Sequence, residues 1–111
     1  MPITRIIAFF NLKPGVRQGD YEKWARSVDL PTVNDLPSIR RMELFKTTGL
    51  FGAEGKPPYK YVEVIDVRDM GQFGDDVATS VMQKVVQEFD GMADATFMTT
   101  KKIGWKRKSA A

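Results

Sequence analysis

The chain contains neither histidine nor cysteine among its 111 residues, so proton transfer must fall to a carboxylate or a tyrosine. A carboxylate becomes an effective base near neutral pH where burial raises its pKa. We predict Asp29 as the first such residue and Glu63 as the second, ahead of Asp66. The same two absences remove the usual ligands of zinc and haem, so we expect no specific metal and no cofactor.

Asp29 follows a stretch whose apolar residues recur at helical spacing, with Tyr21 and Trp24 on one face. Pro31 disfavours the α conformation for Leu30, so this helix should stop near Asp29. A straight α-helix rotates about 100° per residue, which would turn Asp29 about 140° away from Trp24. Both side chains therefore meet one ligand only if the helix unwinds before Asp29. The alternative is a tryptophan in the core and an acid bonded to its own turn.

Besides the two carboxylates, four residues are candidates for contacts with a ligand, and two of them are argued from their position relative to Glu63. Glu63 should project from a central strand on the same face as Tyr61, where desolvation would raise its pKa. Arg41 lies on the preceding strand, and the alternative for Glu63 is an ion pair with it across adjacent strands. Asn11, at the end of the first strand, offers an amide to a ligand or serves as a turn residue. We predict Asn11, Trp24, Arg41 and Tyr61 as ligand-binding residues.

The formal charge of +3 is concentrated at the C-terminus. Five basic residues lie in the last eleven positions, which leaves 12 basic against 14 acidic residues over positions 1–100. A basic run without an arginine and aromatic recognition motif is typical of a solvated tail, so we expect no nucleic-acid partner. No long apolar run is present, and we expect a cytoplasmic protein without a membrane partner.

The order of elements predicts a single α+β domain over residues 1–105, followed by a basic tail at 106–111. Strand, helix, strand, strand, helix, strand in this length indicates a ferredoxin-like βαββαβ sandwich, with two helices on one face of a four-stranded antiparallel sheet. Asp69 should cap the second helical region, and Gly74 should separate a short first turn from the main helix. The predicted strands are 3–12, 38–48, 59–67 and 96–105.

The second face of this sheet needs a cover, because the first strand is apolar on both sides. We assign Val62 and Val64 to the helix side, which places Tyr61, Glu63 and Arg41 on the other. A twofold partner that packs sheet against sheet would bury the same patch twice. The expected assembly is a homodimer with a mixed interface or an enclosed polar cavity.

Several short motifs, taken in order, resemble the REDY-like/HapK family of the dimeric α+β barrel superfamily. They are Tyr21-x-x-Trp24 with Asp29-x-Pro31-Thr32, then Leu36-Pro37-Ser38-Ile39, then the strand from Tyr59 to Val67, then Phe73 and Phe89. The resemblance covers about residues 3 to 103. It implies a dimer, a role in secondary metabolism such as prodiginine-type pyrrole pigment biosynthesis, and a characteristic segment that contains Trp24 and Asp29.

Three functions remain open from the sequence. The first is an enzyme that acts on a small aromatic or pyrrolic intermediate, with Trp24 stacked on it and Asp29 moving a proton. The second is a carrier that binds such a molecule without changing it. The third is a cofactor-free oxygenase of the antibiotic-biosynthesis type. An acid–base enzyme should lose activity on Asp29→Asn, whereas a carrier should lose only affinity.

Overall fold

The computed structural model describes residues 2–108, so Met1 and the end of the predicted tail (109–111) lie outside the described residues. The chain forms a sheet with helices packed on one face. The elements are β1 (Thr4–Leu12), α1 (Gln18–Trp24), a π-helical turn (Ala25–Asp29), α2 (Leu30–Asn34), β2 (Ile39–Lys46), β3 (Tyr61–Val67), α3 (Met70–Val77), α4 (Ser80–Met92), β4 (Ala93–Ala95) and β5 (Met98–Thr99).

The sheet is antiparallel, in the order β2-β3-β1-β4, and β5 also pairs with β1. This arrangement confirms the predicted α+β, ferredoxin-like fold class. The predicted last strand (96–105) is wrong in its extent, because Thr96 and Phe97 leave the ladder and regular structure ends at Thr99. Phe97 instead lies against Phe89 of α4, with ring centroids 5.9 Å apart.

The helix does not end at Asp29, contrary to the prediction from Pro31. Leu30 is fully helical (φ −60°, ψ −48°), and its N–H donates to the carbonyl of Ala25, five residues back. Pro31 then occupies the first turn of α2, a position that tolerates proline because its missing N–H costs little there. The chain therefore passes the proline by inserting a π-helical turn.

The assignment of the two sheet faces was wrong for β3. Tyr61, Glu63 and Ile65 are buried beneath the helices, whereas Val62 and Val64 face the other way and are half-buried. The register agrees, because Glu63 pairs with Ala8 of β1, which is fully buried. Alternation separates the two sets but does not say which one the helices cover.

The other face of the sheet, here called the open face, carries exposed aromatic and charged side chains. Phe9 and Phe45 are 44% and 48% exposed. The ion pair with Arg41, which was the alternative for Glu63, is absent because the two residues lie on opposite faces. Arg41 instead approaches Glu43, with Nε and Oε1 3.7 Å apart.

The second helical region begins as predicted, with the Asp69 side chain accepting a hydrogen bond from the N–H of Gln72. Gly74 does not interrupt it, however. The break falls at Ala78 and Thr79, where the Thr79 side chain accepts a hydrogen bond from the Met82 N–H and starts α4. Among residues 2–108, no helix is long and apolar enough to cross a membrane.

Candidate functional site

A cavity of about 300 Å³ lies between the helices and the covered face of the sheet. Eleven of its thirteen lining residues are apolar, and Asp29 and Glu63 are the other two. Val86 and Phe97 are partly exposed and form the rim. The apolar lining is Ile6, Val33, Met42, Ile65, Phe73, Val77, Met82, Val85, Val86, Phe89 and Phe97.

Asp29 enters this cavity because of the π-helical turn. Each residue of a π-helix rotates less about the axis than one of an α-helix, which brings Asp29 round toward the face that holds Tyr21 and Ala25. The Asp29 side chain is buried and accepts no hydrogen bond within residues 2–108. Burial raises the pKa of Asp29 to about 6.

Glu63 reaches the cavity from the sheet, where its strand neighbours are Ala8 of β1 and Leu44 of β2. Its side chain is buried, and Oε1 has no hydrogen-bond partner in the described part of the chain. Burial, and then the nearby charge of Asp29, raise the pKa of Glu63 to about 8. No cation among residues 2–108 offsets this desolvation, so the protonated form of Glu63 is favoured.

The two carboxyl groups therefore differ in protonation near neutral pH. Asp29 is mainly ionised and Glu63 is mainly protonated. A base and an acid that share one apolar cavity form an arrangement suited to proton transfer. We predicted both residues from the sequence, although for Glu63 on the wrong face of the sheet.

Tyr21 is a candidate that we did not select from the sequence. It is completely buried in α1, and its hydroxyl has no hydrogen-bond partner among residues 2–108. Burial, and then the charges of Glu63 and Asp29, raise its pKa well above the usual range, so it stays protonated. Its helical spacing with Ala25 indicated only a core position, and no signal in the sequence paired it with Glu63.

Trp24 does not line the cavity. Its ring packs against Tyr21 and Phe89, with centroids 6.1 and 6.4 Å away, and its Nε1 donates to Oε1 of Glu88 at 3.3 Å. It therefore supports residues of the cavity wall from outside. This position differs from the predicted stacking surface because Trp24 precedes the π-helical turn and keeps its α-helical direction.

Tyr61, Arg41 and Asn11 also lie outside the cavity lining. The Tyr61 hydroxyl donates to Oε2 of Glu22 at 2.8 Å, while Arg41 is on the open face. The Asn11 amide donates to the carbonyl of Pro58 at 3.0 Å, and its Oδ1 accepts from the Lys60 N–H at 2.9 Å. Asn11 thus anchors the end of the loop between β2 and β3.

The sequence also did not indicate which residues of α4 form the cavity wall. The apolar residues of α4 include Val81, which is 61% exposed and lies outside the cavity, as well as Val85 and Phe89, which line it. Phe97 was assigned to a strand. No cluster of three or more acidic side chains within residues 2–108 is arranged to hold a metal ion.

The antiparallel sheet, the helices on one face and the apolar cavity between them define an α+β protein of the ferredoxin-like class with a small-molecule-sized site. Within that class, the chain belongs to the REDY-like protein HapK family, whose model matches residues 4–103. HapK from Hahella chejuensis is 29% identical, with a TM-score of 0.74 over 96% of this chain and 99% of HapK.

Two further solved structures share the fold at lower sequence identity. SnoaB from Streptomyces nogalater, a cofactor-independent oxygenase, is 13% identical, with a TM-score of 0.67 over 97% of this chain and 96% of SnoaB. A dimeric ferredoxin-like protein from Thermobifida fusca is 17% identical, with a TM-score of 0.66 over 88% and 89% of the two chains. No curated protein matches the chain in sequence.

Proposed function

We propose that this protein binds a small, flat aromatic or pyrrolic intermediate of secondary metabolism in the cavity and acts on it by acid–base catalysis. The observation that carries the proposal is the cavity lining, which is apolar apart from Asp29 and Glu63. Such a site buries an aromatic ring and leaves two carboxyl groups to orient it. Membership of the HapK family supports a pyrrolic molecule, of the kind found in prodiginine pigments, as the substrate.

The carboxyl pair favours an enzyme over a simple carrier. A buried carboxyl group without a partner lowers the stability of the fold, and two of them in one cavity add mutual repulsion. A carrier that only orients its ligand by hydrogen bonding would need one polar group in the cavity. An acid beside a base is instead the arrangement that moves a proton on the substrate.

We also propose that the protein acts in the cytoplasm as a homodimer that pairs through the open face. Phe9 and Phe45 are exposed there, with Ile7, Val62 and Val64 half-buried around them. The ferredoxin-like protein from Thermobifida fusca, which has a similar fold, is dimeric, and this supports the proposed assembly. The cavity lies on the opposite side of the sheet, so each protomer would carry its own site.

Calorimetric titration with 2,2′-bipyrrole tests the binding proposal. We expect the wild-type protein to bind it, and Val86→Trp to prevent binding because the indole would fill the rim of the cavity. Val81→Trp is the matched control, since Val81 lies on the same helix outside the cavity. Equal binding by both variants, or no binding by the wild type, would contradict the proposal.

A further inference from the structure

We infer that the site is built for a substrate that carries a carbonyl group, with Asp29 as the base, Glu63 as the donor to the carbonyl oxygen, and Tyr21 as a positioning residue for Glu63. This inference rests on the proposed function and names its substrate class and reaction. The chemistry is enolisation, in which a proton leaves the carbon next to the carbonyl group and the carbonyl oxygen takes up the negative charge or a proton.

The Tyr21 hydroxyl and Glu63 Oε1 are both buried and lack hydrogen bonds within the described residues. Buried polar groups almost always find a partner, so two such atoms in one region indicate a missing contact between them, direct or through one water molecule. A tyrosine hydroxyl donates and a carboxyl oxygen accepts, so the two are complementary.

The surrounding residues place the two groups near each other. The ring of Tyr21 packs edge-on against Tyr61, with centroids 5.0 Å apart, and Tyr61 is on the same face of β3 as Glu63. The strand neighbour of Glu63 is Ala8, whose small side chain leaves space above the sheet for a phenol. A hydrogen bond from Tyr21 to Oε1 would leave Oε2 of Glu63 to face the cavity.

The other oxygen of Glu63, Oε2, is then left to contact the ligand. Held on Oε2, the Glu63 proton is a hydrogen-bond donor in an apolar cavity, where a carbonyl oxygen of the ligand is the complementary acceptor. Asp29 lines the same cavity and supplies an ionised carboxylate. A protonated carboxyl group, a supporting tyrosine and a carboxylate base form a set that stabilises an enolate.

The reaction balances without any further reactant. Asp29 removes a proton from the carbon next to the carbonyl group, and the electron pair of that C–H bond forms a C=C bond. The electrons of the C=O bond move to oxygen, which takes the hydrogen bond or the proton from Glu63. Asp29 then returns the proton, either to the same carbon or, where the C=C bond is conjugated with another, to a more distant carbon. The C=O bond re-forms and Glu63 regains any proton it gave, so there is no net oxidation.

Deuterium exchange tests this inference with 1-indanone, a bicyclic ketone, as the probe. We expect the wild-type protein in D₂O to accelerate exchange at the carbon next to the carbonyl group, as followed by NMR. Asp29→Asn and Glu63→Leu should each reduce the enzymatic rate by about 100-fold. Glu63→Gln, which retains a donor, should keep more of the rate than Glu63→Leu.

Tyr21→Phe tests the positioning role, because it removes the hydroxyl and keeps the ring. We expect the exchange rate in the saturated complex to fall about five- to tenfold, the value of one hydrogen bond. Affinity for indane, which lacks the carbonyl group, should not change. Tyr59→Phe is the control, since Tyr59 is exposed. Equal losses for indanone and indane would show that Tyr21 has only a structural role.

The outcomes separate this inference from the proposed function. If the wild-type protein binds 2,2′-bipyrrole and 1-indanone but exchanges the ketone no faster than buffer, the enolisation inference is wrong and the binding proposal stands. If neither compound binds, the proposed function itself is wrong. Exchange that survives Asp29→Asn unchanged would overturn the assignment of the base.

Discussion

Glu63 and Asp66 lie on the same strand with almost equal burial, yet their carboxyl groups respond to it in opposite ways. Glu63 is 2% exposed and Asp66 is 3% exposed. Asp66 accepts two hydrogen bonds from Arg5, at 2.8 and 3.1 Å, and this contact lowers its pKa. Glu63 has no such partner, and its pKa rises. At Asp66 the hydrogen bonds from Arg5 outweigh desolvation and lower the pKa, whereas at Glu63 desolvation dominates and raises it.

The difference follows the two faces of the sheet. On the open face, Asp66 is paired and contributes to stability at neutral pH, as expected of a structural residue. On the covered face, Glu63 is kept in a form that weakens the fold at neutral and alkaline pH. Residues that are retained at a cost to stability concentrate at functional sites. The unpaired Glu63 therefore makes the covered face the candidate site.

The largest expected effect is the dependence of stability on pH. Folding raises the pKa values of Asp29 and Glu63. Between the ordinary carboxyl pKa and about pH 8, the unfolded chain therefore holds fewer protons than the folded chain. The free energy of unfolding falls as pH rises through that window. We expect a loss on the order of 4 kcal/mol between about pH 5 and pH 9, measured by urea unfolding.

Glu63→Gln should remove most of this loss, because glutamine does not titrate. Glu54→Gln, in the exposed loop between β2 and β3, is the matched control and should leave the pH dependence unchanged. If the wild-type protein were equally stable at about pH 5 and pH 9, Glu63 would not differ from Asp66 in the way proposed here.

Asp29→Asn should reduce formation of the pathway product by about 100-fold, the usual contribution of a general base. The fold should be unaffected or slightly more stable at neutral pH, because asparagine removes a buried charge. Product accumulation in cells that carry only the variant measures the effect. Asp35→Asn, on the exposed end of α2, should keep full activity, and equal activity in both variants would leave Asp29 without a catalytic role.

Phe45→Asp tests whether the open face serves assembly rather than ligand binding. Placing a charge in the proposed dimer interface should weaken association by about tenfold or more, because truncated interface aromatics often cost that much. Light scattering over a range of concentrations measures the change. Ligand binding per protomer should persist, since Phe45 is on the opposite side of the sheet from the cavity. A wild-type protein that is monomeric at micromolar concentration would contradict the proposal.

Arg5→Gln should have the smallest effect. Asp66 has a lowered pKa in the fold, so its contribution to stability is present above its ordinary pKa and is lost as pH falls. The variant should be slightly less stable than the wild type at pH 7 and equal to it in strong acid. Because Arg5 is 56% exposed, solvent weakens the pair. A difference that persists at low pH would mean that Arg5 acts through packing.

The fold class was predictable from the sequence because it depends on local pattern, whereas the catalytic role of Asp29 stays a prediction. Apolar periodicity defined the helices, and the unusual position of an acid between a helix and Pro31 marked Asp29. The side of the sheet that holds Glu63 was not predictable. Both alternating sets of β3 contain apolar side chains, so alternation separates the two sets without saying which one the helices cover.

The remaining errors have the same origin in long-range contacts. The proline rule describes Leu30 in isolation, whereas packing of α2 against the sheet favours a helix that continues past Pro31. Trp24 was assigned to the ligand because its broad ring suits a flat aromatic molecule, but its partners Phe89 and Glu88 lie on α4, far along the chain. Only the folded structure shows which aromatic side chains face the cavity.

The π-helical turn also has a consequence for how the sequence of this helix can vary. A π-helical turn corresponds to one additional residue in an α-helix, so residues 25–29 mark a point where helical phase has been shifted. Removing one exposed residue, such as Ser27, would restore the α-helical phase. Asp29 would then follow Tyr21 by seven positions, which at about 100° per residue leaves it within about 20° of Tyr21. The π-helical turn therefore holds one additional residue while the carboxylate stays on the cavity face, so a one-residue deletion in this segment would keep Asp29 at the cavity.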